Sequence, residues 1–196
     1  MLDLDPRTTA LVLIDLQNWT LGMPMGPHDA GTVTANAVRL AHAVKAGGGV
    51  VLPVRIGFAP DLGDMLQVPV DAGMRLPEGG IPAGALDFAP EVAALPADAV
   101  VTKHQWSAFH GTDLDVQLRR RGIATIVVGG VMTSFGVEST ARDAWQHSYS
   151  VVVAEDACSA PDEAMHQFSI TRTLPRVSRI RTTSEIVAAL EARSQT

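Results

Sequence analysis

The chain has 196 residues, 46% of them hydrophobic and 18% charged, and its formal net charge is −6. This length and composition fit one globular domain over residues 1–196 and exclude disordered chains, collagen and coiled coils. The acidic balance argues against nucleic acid or a membrane surface as a partner, because both require clustered basic residues. With one cysteine, no apolar stretch of about 18 residues and no signal-like leader, we expect a cytoplasmic protein.

Short runs rich in β-branched residues recur along the chain with the length of strands. The four clearest are almost continuously apolar, which is typical of strands buried on both faces. They cover residues 10–14, 50–54, 123–128 and 150–154, with weaker candidates at 99–102 and 176–180. Helical spacing occurs over residues 32–46, 113–121, 137–147 and 162–173, and after a capping box formed by Thr182 and Glu185. The alternation predicts an α/β fold, with a parallel sheet and helices on both of its faces.

One connection, over residues 57–96, breaks this alternation. It contains six of the 12 prolines and six of the 17 glycines of the chain. A segment of this length and composition cannot form a core of its own. We therefore expect it to cover the mouth of a pocket, to contact a second subunit, or both.

Charged residues that directly follow predicted strands indicate where a ligand would bind. Asp15 follows the first strand, Arg55 the second, and Lys103 the weaker run at 99–102. The carboxyl ends of parallel strands meet at one edge of the sheet, where ligands bind in open α/β folds. We expect the side chains of Asp15 and Lys103 to lie within about 4 Å of each other, the range of a direct charge contact. They would form either a proton donor–acceptor pair or a structural ion pair.

The turn after the 123–128 run contains Gly129, Gly130 and Gly136 and leads into a predicted helix. A helix N-terminus can stabilise an anion, and a glycine lets a substrate approach the backbone closely. The glycine spacing does not fit a dinucleotide fingerprint, and the chain contains no P-loop. The six histidines show no metal-ligand spacing, so we predict neither a cofactor nor a metal.

Four blocks in order along the chain resemble the isochorismatase-like hydrolase superfamily, which includes isochorismatases, nicotinamidases and N-carbamoylsarcosine amidases. The blocks are ALVLIDLQNW (10–19), TKHQWSAFHGTDLD (102–115), GGVMTSFGVESTARDA (129–144) and EDACSA (155–160). The resemblance implies a three-layer sandwich with a roughly six-stranded parallel sheet. It also implies a cis peptide bond between Val131 and Met132.

The resemblance extends to catalytic positions, because amidases of this superfamily use an Asp, a Lys and a Cys. Asp15 and Lys103 match the first two, but Gly136 stands where the amidases have the cysteine. Cys158 lies outside the motif, and we expect it to be a packed small hydrophobe. Without a thiolate, covalent amide hydrolysis is not available. Isochorismatases resemble this chain in having that glycine, and they cleave a vinyl ether by protonation and attack of water.

These residues predict an isochorismatase-family hydrolase acting on a small, carboxylate-bearing molecule, with vinyl ether hydrolysis favoured. Asp15 would be the general acid–base group, Lys103 its electrostatic partner, and Gly136 would leave room for water. The backbone amides of Met132 and Gly136 would form an anion-stabilising turn. The residues expected to line the substrate pocket are Gln17, Arg55, Trp106, Met132 and Phe135.

Two other functions fit the same residues. The chain could be a catalytically silent protein that binds a small molecule, or an amidase that activates water directly. A hydroxyl nucleophile at Thr133 or Ser134 is disfavoured, because the resemblance uses that stretch as the backbone of the turn. Apart from the small-molecule substrate, the partner that we expect is a second copy of the chain, in a homo-oligomer (dimer or tetramer).

Overall fold

A central sheet organises the computed structural model, which describes residues 2–73 and 76–194. Its six strands are β1 (Thr9–Ile14), β2 (Val50–Ile56), β3 (Val101–Lys103), β4 (Thr125–Val131), β5 (Ser150–Ser159) and β6 (Arg179–Arg181). All neighbouring strands are parallel, and their spatial order is β3-β2-β1-β4-β5-β6. The predicted α/β fold with a six-stranded parallel sheet is confirmed.

Helices cover both faces of this sheet. They are α1 (Asn18–Leu21), α2 (Ala30–Ala46), α3 (Pro90–Ala93), α4 (Leu114–Arg120), α5 (Glu138–Gln146), α6 (Glu163–Phe168) and α7 (Thr183–Ser194). The predicted capping box precedes α7, because the Thr182 N–H donates to Glu185 Oε2 at 2.9 Å and the Glu185 N–H donates back to Thr182 Oγ1 at 3.3 Å. Within residues 2–73 and 76–194, no helix combines the length and apolar character needed to cross a membrane.

The central strand β1 explains why the strand runs are continuously apolar. Ala10, Val12 and Ile14 pack into one hydrophobic cluster with residues of α4 and α5. Leu11 and Leu13 pack into a second cluster, on the other face, with residues of α2 and α7. A strand with a core on each side needs an apolar residue at every position.

Strand boundaries differ from the prediction where the sequence is polar or glycine-rich. β2 continues through Arg55, and Lys103 is the last residue of β3 rather than the first residue after it. β4 begins at Thr125 and runs through Gly129 and Gly130, which we had expected in the turn. Gly130 pairs with Ile14 so closely that the two backbones leave no room for a side chain.

This close contact between β1 and β4 predicts a severe effect of Gly130→Ala. The φ angle of Gly130 is +117°, and a Cβ there would lie 2.1 Å from the carbonyl oxygen of Ile14. We expect the free energy of unfolding, measured by urea denaturation, to fall by about 4 kcal/mol or more.

Gly122→Ala is the matched control, since Gly122 also has a positive φ, +67°, but its Cβ would have no neighbour within 4 Å. Only the left-handed backbone conformation is then unfavourable, at about 1–2 kcal/mol. Equal losses in the two variants would contradict the contact between β1 and β4 as the cause.

Candidate active site

Asp15 is held by its backbone directly after β1. Its φ is +53°, a left-handed conformation that Asp adopts more readily than most residues. Its N–H donates to the carbonyl oxygen of Val54 at 2.9 Å, and its own carbonyl oxygen accepts from the Gln17 N–H at 2.8 Å and from the Thr20 hydroxyl. These bonds fix the direction in which the carboxyl group leaves the edge of the sheet.

Lys103 meets this carboxyl group from the end of β3. Its Nζ lies 2.7 Å from Asp15 Oδ2 and also donates to the carbonyl oxygen of Gln105 at 3.0 Å. Both side chains are buried, with residue exposures of 1% for Lys103 and 7% for Asp15. The predicted contact between Asp15 and Lys103 is confirmed.

The charge state of Asp15 is set mainly by its burial. Desolvation raises the pKa of Asp15 to about 6, although the Lys103 ammonium opposes this shift. Among the described residues, no group forms a hydrogen bond with the buried Oδ1. A carboxyl group that changes protonation near neutral pH can act as a general acid or a general base.

A cavity of about 150 Å³ lies over this pair. The polar side chains on its described wall are Asp15, Lys103 and Thr20, and the rest of the wall is apolar apart from Gly136. The apolar lining residues are Trp19, Met23, Ile56, Phe58, Leu76, Ile81, Leu86, Trp106, Val131, Met132 and Phe135. Four of them belong to the 57–96 segment, which confirms that this segment covers a pocket. The low polarity of the wall accounts for the desolvation of Asp15.

The turn after β4 forms one side of this cavity. The peptide bond between Val131 and Met132 is cis, as the resemblance implies. A π-helical turn, Thr133–Val137, follows and leads into α5. A Cβ on Gly136 would lie 3.3 Å from Asp15 Oδ2 and 2.9 Å from Cγ2 of Ile14. The missing side chain therefore leaves space directly beside the carboxyl group.

Among the residues expected to line the substrate pocket, the structure places Trp106, Met132 and Phe135 on the cavity wall. The rings of Trp106 and Phe135 pack with their centroids 4.8 Å apart. Substrate binding by these residues stays a prediction. Of the wall residues that the sequence prediction missed, Trp19 is the last residue of the first motif block and Thr20 follows it directly. Those in the 57–96 segment belong to no periodic pattern.

Gln17 and Arg55 do not lie on the described wall, so their expected place in the pocket is wrong. Gln17 is fully buried, and its amide holds the end of β2, accepting from the Ile56 N–H at 2.8 Å and donating to the Ile56 carbonyl oxygen at 2.9 Å. Arg55 belongs to β2 itself and is exposed, with its Nε donating to Thr102 Oγ1 at 3.1 Å. β2 continues to Ile56, so Arg55 is not at the strand end. Its side chain instead contacts Thr102 of the neighbouring strand β3.

Other candidate nucleophiles are unsuited to reaction. Cys158 is fully buried in β5, and burial raises the pKa of its thiol far above the usual range. This agrees with its expected role as a packed small residue. Thr133 is also fully buried, and its Oγ1 lies 2.9 Å from Nδ1 of His166.

One group of side chains among the described residues has the composition of a metal site, and it lies outside the cavity wall. His28, Glu155 and His166 place one potential ligand atom each within 4.8 Å of one another. Burial lowers the pKa of His166 to about 4, so its ring is neutral at physiological pH. No spacing in the sequence indicates this group, because its members come from three separate parts of the chain.

Comparisons with known proteins agree with the fold and with the four motif blocks. Residues 9–185 match the family model described as the isochorismatase domain. The isochorismatase family protein YecD of Escherichia coli O157:H7 is 45% identical over 97% of this chain and 100% of its own length. The ureidoacrylate amidohydrolase RutB of Methylobacterium radiotolerans is 32% identical over 85% of this chain and 73% of its own. A solved isochorismatase family protein from Burkholderia thailandensis superposes with a TM-score of 0.91 at 44% identity, covering 96% of this chain and 98% of that one.

The geometry of the buried pair predicts a large loss of stability for Asp15→Asn. This change leaves the Lys103 ammonium buried without its carboxylate. Removing one partner of a buried ion pair costs about 3–5 kcal/mol, and we expect the free energy of unfolding in urea at neutral pH to fall by that amount.

The double variant Asp15→Asn/Lys103→Met removes both charges and should recover most of this loss. Together with Lys103→Met it completes a double-mutant cycle, which isolates the interaction between the two side chains. An Asp15→Asn variant as stable as the wild type would show that the pair is not buried as described.

Proposed function

The chain belongs to the isochorismatase family of hydrolases, and we propose that it hydrolyses a small molecule by proton transfer at Asp15, without a covalent intermediate. One observation carries this proposal. The Asp15 carboxyl group, with its pKa raised by burial, faces a cavity in which Gly136 leaves space beside it. An acid–base group with room for water next to it suits direct hydrolysis.

The reaction that we favour is hydrolysis of a vinyl ether. Protonated Asp15 donates its proton to the terminal carbon of the double bond, which leaves an oxocarbenium-like carbon. Water adds to that carbon and returns one proton to Asp15. The resulting hemiketal then collapses to a ketone and an alcohol. Lys103, whose Nζ is 2.7 Å from Asp15 Oδ2, stabilises the carboxylate formed when the proton leaves.

The cavity wall limits the kind of substrate. Lys103 is the only cationic side chain on the described part of the wall, and it is already paired with Asp15. Arg55, which we expected to line the substrate pocket, is not on the described wall, and its Nε donates to Thr102 Oγ1. This lining favours a substrate whose reacting part is apolar. If the substrate carries a carboxylate, Lys103 is the cationic side chain of the described wall with which it would pair.

Hydrolysis of an amide by activated water is the second candidate. Its support is the similarity to RutB, an amidohydrolase, together with the pairing of Asp15 and Lys103. In that reaction deprotonated Asp15 removes a proton from water as the water oxygen adds to the carbonyl carbon, and it returns this proton to the amine that leaves when the C–N bond breaks. The amides of Met132 and Gly136, which both lie on the cavity wall, would then stabilise the oxyanion.

The pH dependence of turnover distinguishes the two reactions. A general acid works in its protonated form, so vinyl ether hydrolysis should fall about tenfold per pH unit above the pKa of Asp15, which lies near 6. A general base works deprotonated, so amide hydrolysis should rise through the same pH and then level off. We would measure turnover of a panel of small enol ethers and amides by nuclear magnetic resonance.

Asp15→Asn is the control for this experiment, and we expect it to lower turnover by about 10²–10⁴-fold. Turnover that is unchanged in this variant would overturn the proposal. A panel compound that raises the unfolding temperature of the wild type without being consumed would instead identify a binding protein.

Replacing Gly136 tests the space beside the carboxyl group. In Gly136→Cys and in Gly136→Ala, the new Cβ lies against Asp15 Oδ2 and Ile14, where we expect water or substrate. We expect turnover to fall about 10²-fold in both variants, since small displacements of reacting groups have effects of this size.

A comparison of the two variants separates the thiol from the added volume. Cys158 is buried and the chain has no other cysteine, so reaction with iodoacetamide should report the new thiol alone. We expect rapid alkylation and slow ester hydrolysis in Gly136→Cys only, because Lys103 and the start of α5 favour a thiolate. Both variants must keep the wild-type circular dichroism spectrum. Unchanged turnover in both would place the reaction elsewhere.

A further inference from the structure

A second cluster of functional side chains lies next to the turn after β4. His28 belongs to the 22–29 connection before α2, Glu155 to β5 and His166 to α6. Oε2 of Glu155 lies 3.5 Å from Nε2 of His28 and 3.9 Å from Nε2 of His166. The planes of the two imidazole rings are almost perpendicular, at 86°, so they approach the carboxylate from different directions.

The Nε2 atom of His166 has no hydrogen-bond partner among the described residues. The ring is completely buried, and its Nδ1 lies 2.9 Å from Thr133 Oγ1. In the tautomer with the proton on Nδ1, that nitrogen donates to Thr133 and Nε2 has a free lone pair 3.9 Å from Oε2 of Glu155. A cation bound between these two atoms would give the buried Nε2 the partner that it lacks.

We propose that His28, Glu155 and His166 bind a divalent transition-metal ion of the Zn²⁺ class. Two imidazoles and one carboxylate are a known protein ligand set for zinc, with a fourth position left for water. Ligand atoms on a tetrahedral zinc ion with bonds of about 2.05 Å lie about 3.3 Å apart. The distances from Glu155 to the two rings, 3.5 and 3.9 Å, are close to this value, and all three ligand atoms, which lie within 4.8 Å of one another, would draw together around an ion.

The surroundings of the cluster suit this role. Thr133 orients His166 through the second ring nitrogen, as outer partners of zinc-bound histidines commonly do. The side chains of His28 and Glu155 are 26% and 30% exposed, which gives an ion a path from solvent.

A bound ion would join the 22–29 connection to β5 and α6. The 22–29 connection carries Met23, a residue of the cavity wall, and Thr133 begins the turn that contains Gly136. A metal on His28 and His166 would therefore hold two sides of the cavity wall to β5. We assign it a structural role in keeping the wall in place.

The test is zinc binding by tag-free protein that has been treated with chelator and dialysed. Isothermal titration calorimetry with Zn²⁺ should show one ion per chain, and the midpoint of thermal unfolding should rise with zinc concentration. Titration with Co²⁺ should give the visible absorption bands of a four-coordinate ion. Hydrogen exchange within residues 22–29 should slow when zinc is bound.

His28→Asn and Glu155→Gln are the diagnostic variants, because both side chains are partly exposed and both changes keep the approximate shape. We expect each to weaken zinc binding at least about tenfold and to remove the cobalt bands. His42→Asn is the matched control, since His42 is an exposed histidine of α2 outside the cluster. Zinc binding that survives both diagnostic variants, or that His42→Asn weakens equally, would overturn the site.

Discussion

The buried contact between Asp15 Oδ2 and Lys103 Nζ sets the requirements for the structure around it. Their strands are not neighbours, because β2 lies between β1 and β3, and adjacent strands are about 4.8 Å apart. The long side chain of Lys103 must therefore cross the end of β2 to reach the carboxyl group. Burying two charges is favourable only with close geometry and further hydrogen bonds. The carbonyl oxygen of Gln105 and the fixed backbone of Asp15 provide both.

The sequence predicts this pair because strand ends are easy to locate in continuously apolar runs. The same reasoning failed at Arg55, where β2 extends past its last apolar residue and turns an expected pocket residue toward solvent. It also failed at Gln17. The position of this residue shortly after β1 predicts a place in the pocket, but its side-chain amide forms hydrogen bonds with the backbone of Ile56 at the end of β2. The cluster of His28, Glu155 and His166 carries no local signal, since only the folded chain brings its members together.

Gly136 shows how one position can separate two kinds of hydrolysis on the same scaffold. The pairing of Asp15 and Lys103 does not depend on a side chain at that position, and the φ angle of Gly136 lies outside the left-handed region that favours glycine. A side chain there would lie in contact with both Asp15 and Ile14. A thiol at this point would be next to the base that activates it, while a glycine leaves the same volume for water. In the mechanism that we propose, the identity of the attacking group thus depends on the volume beside the carboxyl group, with the pairing of Asp15 and Lys103 unchanged.

The raised pKa of Asp15 in turn depends on parts of the chain that have no core of their own. Five of the apolar residues in the wall that desolvates it come from the 22–29 and 57–96 connections, which are fixed by hydrogen bonds at their bases. Gln17 donates to the carbonyl oxygen of Leu86 at 2.6 Å, and Gly26 and Ala160 exchange backbone hydrogen bonds of 2.9 and 3.1 Å. Opening either connection would admit water to the carboxyl group and lower its pKa toward the ordinary value for Asp. The proton transfer that we propose for Asp15 near neutral pH would therefore require a closed wall, which couples the chemistry of one carboxyl group to the anchoring of two loops.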